Sequence, residues 1–154
     1  MNLQNMLKLI RFMEAETVHY NQNTWFSENA LYRDIPLGSG ERCGTAACLA
    51  GSALLACGAQ KDIEELKHIV DGKEQSNFLV PKVVELLGWE DQPIAHGIPA
   101  LFYGGADYWP KPFYGQYKLA KGEKGKRAAA IALLKDMVCR ELAARRSALE
   151  MDLK

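Results

Sequence analysis

The chain has 154 residues, 48% hydrophobic and 25% charged, with 19 basic and 19 acidic side chains that cancel. This composition excludes the low-hydrophobicity, high-charge mixture of a disordered chain, and the length suits one domain, residues 1–154, able to bury its own core. Four cysteines (Cys43, Cys48, Cys57 and Cys139), three of them crowded into one apolar segment, exclude a secreted disulfide framework.

Leu3, Met6, Leu7, Ile10 and Met13 follow helical spacing with Lys8, Arg11 and Glu14 between them, which predicts an opening amphipathic helix. Met1 to Arg11 lacks a basic start, an unbroken apolar core and a small-residue cleavage site, so a cytoplasmic location is expected. Thr17-Val18-His19-Tyr20 reads as a short strand or ordered loop, followed by polar Asn21-Gln22-Asn23 and the aromatic pair Trp25-Phe26.

A turn-rich stretch, residues 29–40, leads to the most apolar part of the chain. Thr45 is a plausible N-cap, Cys48 to Ala56 is apolar nearly all round, and Gly58 stands where a left-handed C-terminal cap belongs. A helix apolar on every side is a central one. The uncharged run Cys43 to Ala59 is too short and too rich in Ala and Gly to span a bilayer, so no membrane partner is expected. Cys57 and Cys139 read as small core hydrophobes.

Further on, Lys61 to His68 predicts a short helix, and residues 69–77 a turn-rich connection with a brief strand. Phe78 to Leu87 reads as a helix with Pro81 in its first turn and Gly88 as its stop; Pro93 to Phe102 reads as a Pro-interrupted helix. An aromatic corner, Tyr108-Trp109-Pro110 and Pro112-Phe113-Tyr114, precedes a short helix toward Ala120. A long helix from Lys124 to Leu149 follows, with Ile131, Leu134, Val138 and Leu142 facing the core and Lys135, Arg140 and Arg145 opposite. The fold class is therefore mainly α: a single compact helical domain around a central buried apolar helix, with at most a small β element.

Charge is unevenly placed. Residues 1–110 hold 8 Lys/Arg against 14 Asp/Glu, a net −6, and residues 111–154 hold 11 against 5, a net +6. A basic helical face can bind polyanions, but packing beside the acidic part or simple solvation explains it as well. With no motif for reading grooves or stacking bases, nucleic acid is not an expected partner.

The most specific pattern runs from Gly38 to Gly51. Its glycines let the backbone turn closely, and a helix following them would offer unpaired N–H groups at its positive end, where a phosphate or carboxylate can sit. Arg42 would add a charge-assisted contact. The structural alternative is that Gly44 and Gly51 only let a buried helix approach its neighbours, with Thr45 as cap. A Walker loop is excluded because no lysine follows Gly44, and the glycine spacing is wrong for a dinucleotide fingerprint. His19, His68 and His96 show no metal-ligand spacing with the cysteines, so neither metal nor cofactor is expected. Cys43, just ahead of a helix N-terminus, is the one candidate nucleophile, with His19 or His96 as its base.

Cys43-Gly44-Thr45-Ala46-Ala47-Cys48-Leu49-Ala50-Gly51, with Trp25-Phe26 before it and Leu86-Leu87-Gly88, Leu101-Phe102 and Trp109-Pro110 after it, resembles a family of uncharacterised proteins from bacteria and their phages. Ser52 stands where tryptophan is expected in relatives. The resemblance brings no established activity; its phage context implies a counter-defence role, such as sequestering a nucleotide signal or blocking a host protein.

Three readings follow. The leading one is a non-enzymatic protein that binds an anionic, nucleotide-like small molecule through Arg42, Cys43, Gly44 and Thr45, with His19 and Asn21 as further contacts and Trp25 or Trp109 stacking on it. The second is a cysteine-dependent hydrolase using Cys43. The third is a protein-binding or inhibitory module acting through the basic C-terminal helix or the aromatic corner.

Overall fold

The structure is a computed structural model, described here for residues 1–16, 18–20, 22, 26–28, 45–69, 72–90, 94–95, 98–102 and 108–152. The chain is mainly α, with six α-helices and short strands among the described residues.

Helix α1 (Leu3–Glu14) starts at Asn2, whose side chain accepts the Asn5 N–H at 3.2 Å. It buries Met6, Leu9, Ile10 and Met13. This face is rotated from the expected one: Leu7 is 44% exposed, because the spacing i, i+3, i+4, i+7 from Met6 selects Leu9 instead.

Strands β1 (His19–Tyr20), β2 (Phe26–Glu28) and β3 (Thr45–Ala47) form one sheet in the order β1-β3-β2. β1 runs parallel to β3 with His19 opposite Ala46, and β2 runs antiparallel to β3 with Ser27 opposite the same residue. Thr45 therefore belongs to a strand and is not a helix cap. The following helix α2 (Leu49–Cys57) has Cys48 as its N-cap. As its composition predicts, α2 is central, with Leu49 to Leu54 all buried. At its far end Gly58 has an extended backbone (φ −75°, ψ 164°) rather than a left-handed one. Glycine is needed there for space, since a Cβ would lie 2.5 Å from Leu54 Cδ1 and 2.6 Å from the Leu54 carbonyl oxygen.

Helix α3 (Gln60–His68) agrees with expectation, but α4 (Gly72–Leu87) takes in residues expected to form a turn-rich connection. Pro81 thus lies inside α4 rather than in its first turn. The cost of that proline, about 3 kcal/mol, is opposed by full burial of Leu79, Val83 and Leu87. Gly88, at φ +61°, ends the helix while Trp89 N–H reaches back to the Val84 carbonyl at 2.9 Å. The N-terminus docks on this cap, with Asn2 N–H donating to the Leu87 carbonyl at 2.8 Å.

Pro93 to Phe102 is not a helix in its described part. Ile94–Ala95 (β4) and Ile98–Pro99 (β5) pair antiparallel, and a single 3-10 turn covers Ala100–Phe102. Pro93, Gly97 and Pro99 deny a helix its hydrogen bonds or raise its entropic cost, while the β-branched Ile94 and Ile98 suit a ladder. Helix α5 (Lys111–Leu119) carries Pro112 in its first turn, where no donor is missed.

Helix α6 (Gly122–Asp152) is 31 residues, roughly 46 Å long. Ala129, Ala130, Leu133, Leu134 and Val138 are buried, but Leu142, expected in the core, is 51% exposed. From there to Met151 every residue is exposed, because the last third of α6 extends beyond the elements that cover its first part. Cys139 is likewise exposed and Cys57 half-buried, so neither is the core hydrophobe expected; Cys48 is buried.

Candidate functional site

One glutamate, Glu123, organises the polar contacts where β1 meets α6. Gly122, at φ +69°, opens α6 immediately after α5, and the next residue, Glu123, falls in the helix's first turn, where the macrodipole favours a carboxylate. Its Oε2 lies 2.8 Å from His19 Nδ1, and its Oε1 accepts the Tyr20 backbone N–H at 3.0 Å. Arg127, one turn along α6 and 3% exposed, donates to Glu123 Oε1 and to the Val18 carbonyl, and its Nη1 lies 3.7 Å from Glu16 Oε2. Burial pushes the Glu123 carboxyl up, but the hydrogen bonds from His19 and Tyr20 and the charge of Arg127 outweigh it and hold the group below the usual glutamate range. Glu123 is thus a carboxylate clamped by donors on three sides. His19, itself buried, is fixed through Nδ1 and has no partner for Nε2 among the described residues.

A second layer joins β1 to α2. Tyr20 Oη donates to Gln22 Oε1 at 2.7 Å, and the same oxygen accepts the Leu49 N–H at 3.3 Å. Gln22 Nε2 donates to the Leu101 carbonyl at 3.2 Å, which also accepts Trp109 Nε1 at 3.1 Å. Cys48 caps the same helix end. Burial pushes its thiol up to about 11 against the pull of the Gly51 and Ala50 N–H groups, and Ser52 N–H donates to its carbonyl at 2.9 Å. At the positive end of α2, the Leu49 N–H is therefore engaged by Gln22 inside the protein. Tyr20 is also pushed up by burial, which keeps its phenol neutral and donating.

Of the residues singled out from sequence, His19 takes part in this network. Thr45 lies on β3, one position before the register partner of His19. Trp109 is not a free stacking face: it is 4% exposed, its N–H is engaged, and its ring meets Tyr117 edge-on at 5.2 Å. Arg42, Cys43, Gly44, Asn21, Trp25 and His96 lie outside the described residues.

Sequence reasoning missed Glu123, Arg127, Gln22 and the capping role of Cys48. One signal was available: Glu123 is the only acid between Asp107 and Asp136, a stretch rich in lysine, with Arg127 four positions on. An isolated acid in a basic segment invites the question of what it pairs with. Charge on the C-terminal part of α6 is meanwhile locally satisfied, since Arg140 pairs with Asp136, Arg145 with Glu141 and Arg146 with Glu150, each at 2.8 Å.

Two cavities lie elsewhere. One of about 380 Å³ has Leu101, Leu133 and Met137 in its walls and Arg140 and Glu141 at its rim; another of about 530 Å³ lies among Asn5, Cys57, Asp62, Lys82 and Glu85. Neither includes His19 or Glu123. Among the described residues no three His, Cys, Asp or Glu side chains gather as a metal site, and no described helix is long and apolar enough to cross a membrane. Compared with known proteins, the chain matches no family model, no curated protein and no solved structure.

Proposed function

We propose that this chain is a non-enzymatic binding protein for an anionic, nucleotide-like small molecule, with His19 as its anchor. The observation that carries the reading is the 2.8 Å contact between Glu123 Oε2 and His19 Nδ1. An imidazole held by a carboxylate on one nitrogen and protonated on both offers its other N–H as a charge-assisted donor to a phosphate or carboxylate. Arg42, Cys43 and Gly44 come just before β3 in the chain, and β3 is the parallel neighbour of the strand bearing His19. Arg42 would meet further negative charge, while Asn21 and Trp25 follow His19 closely in sequence. At the α2 terminus the Leu49 N–H is already engaged by Gln22. The resemblance to phage proteins makes sequestration of a nucleotide signal the biological form of the reading.

The same contact favours a second reading. In its neutral form, an imidazole that donates from Nδ1 to a carboxylate has its lone pair on Nε2, the state of a general base oriented by a third group. Cys43 would be the nucleophile of such a hydrolase. The two readings depend on different residues, His19 for binding and Cys43 for hydrolysis, and this separates them.

Calorimetry over a panel of phosphate-bearing nucleotides tests the first reading. It expects binding that is weakened by His19→Gln in a variant with an unchanged circular dichroism spectrum. No heat with any compound would overturn it. The hydrolase reading expects an activity that is lost in Cys43→Ser.

A further inference from the structure

Helix α6 carries a second line of residues that its own body does not cover. Ala132, Lys135, Cys139, Leu142, Arg146 and Leu149 follow one another at alternating spacings of three and four, the a/d pattern that keeps one face of a helix turned toward a partner helix. All but the half-buried Ala132 are exposed, Leu142 at 51% and Leu149 at 65%. Ala130 and Leu133, which enter the core, lie on the other side of the helix. The line therefore runs without a break from the part of α6 that packs on the body onto the arm that extends past it. A helical arm gains most of its stability from packing an apolar face, and this arm has two leucines one heptad apart with nothing packed on them among the described residues.

We propose that this seam is where two copies of the chain associate, with their α6 helices side by side and parallel about a two-fold axis. The bodies then fall on the outer sides of the pair, and Cys139, Leu142 and Leu149 of each copy meet the same residues of the other. Charge selects this arrangement. Arg145 and Glu150 flank the seam on opposite edges, five residues apart, which is the spacing at which parallel coiled-coil helices exchange ion pairs, so the two-fold axis makes the pair twice. Turned antiparallel with Leu142 beside Arg146, Arg145 would meet its own copy and Asp136 would meet Glu150, and both contacts repel. Arg146 faces itself in the parallel pair, as a polar residue at an a position does, at a cost in stability that keeps the association weak and reversible. Glu150, 2.8 Å from Arg146 in the same helix, offsets that charge, and Glu14 on α1 does the same for Lys135 at 2.7 Å.

Sedimentation velocity of the full chain, from low to high micromolar concentration, tests this. Expected is a reversible monomer–dimer equilibrium that Leu142→Glu/Leu149→Glu weakens at least about tenfold. Diamide, which takes up the two protons and two electrons released when two thiols join, should trap the dimer through a disulfide between the two copies of Cys139, because parallel pairing sets this residue against itself. Cys139→Ser should lose the cross-link and keep the equilibrium. All three positions are exposed, so circular dichroism should show an unchanged fold. A monomer at every concentration overturns the proposal and leaves the seam to a different protein. So does a dimer indifferent to the leucine substitutions, or a Cys139 cross-link that the double variant forms equally well, which would report collision alone. A dimer that diamide does not link at Cys139 overturns the parallel arrangement.

Discussion

Glu123 grips His19 across 104 positions of chain, 2.8 Å from carboxylate oxygen to ring nitrogen. The contact ties the first turn of the longest helix to a two-residue strand, and Arg127 ties both to the backbone at Val18. A network so placed is both a brace for the fold and a fixed mount for one imidazole.

Its structural share is measurable. Arg127→Met removes the buried cation that faces Glu123, Glu16 and the Val18 carbonyl, and should destabilise the protein by about 2–4 kcal/mol, allowing for the partial solvent exposure of Glu123. Urea denaturation gives the value. A loss below about 1 kcal/mol would mean that the network is peripheral to stability.

Acid should reveal the same carboxylate. The Glu123 pKa is lower folded than unfolded, so its contribution is complete above the ordinary glutamate value of about 4.3 and is lost as pH falls through the folded one. Glu123→Gln should therefore lower stability near neutral pH and flatten the acid limb of the stability profile. Thermal unfolding of both proteins from about pH 7 down to about pH 3 checks this. Parallel acid limbs would count against the assignment.

Gln22 satisfies Tyr20 Oη, Leu49 N–H and the Leu101 carbonyl at once, and is 2% exposed. Gln22→Met keeps the volume and leaves the first two donors without that acceptor, at an expected cost of about 2–4 kcal/mol. The Leu101 carbonyl retains Trp109. Chemical denaturation measures the loss, and a near-neutral result would show that α2 needs no side-chain acceptor at its first N–H.

Thiol labelling should follow exposure. Exposed Cys139 should react with iodoacetamide first, half-buried Cys57 slowly, and Cys48 only on unfolding, its thiol being buried and pushed up to about 11. Stability should correspondingly fall as pH rises from the ordinary cysteine value of about 8.5 toward the folded one, since the unfolded state then releases a proton that the folded state keeps. Peptide mapping after timed alkylation gives the order, and early modification of Cys48 would contradict the buried cap.

Much of the helical framework is legible in the sequence. Leu49 to Leu54, uncharged and apolar but for Ser52, are all buried, Gly88 stops α4, and the 3.6-residue spacing of Leu134 and Val138 marks the inner face of α6. These are local properties, written in periodicity and in residues that end helices. Where local signals conflicted the reading failed: the turn-formers of residues 69–77 did not stop α4 from beginning at Gly72, because its later turns bury Leu79 and Val83 against the core.

The sequence by itself determined that the chain would be mainly helical and would bury its central segment, because propensity and patterning act between near neighbours. Only the tertiary structure decided what His19 touches, that Thr45 joins a strand, and that Trp109 serves the core. Each of those depends on pairings across tens of residues, and composition constrains such pairings weakly: any of several acids might have met His19, and Glu123 does so because Gly122 turns the chain and starts a helix at that point.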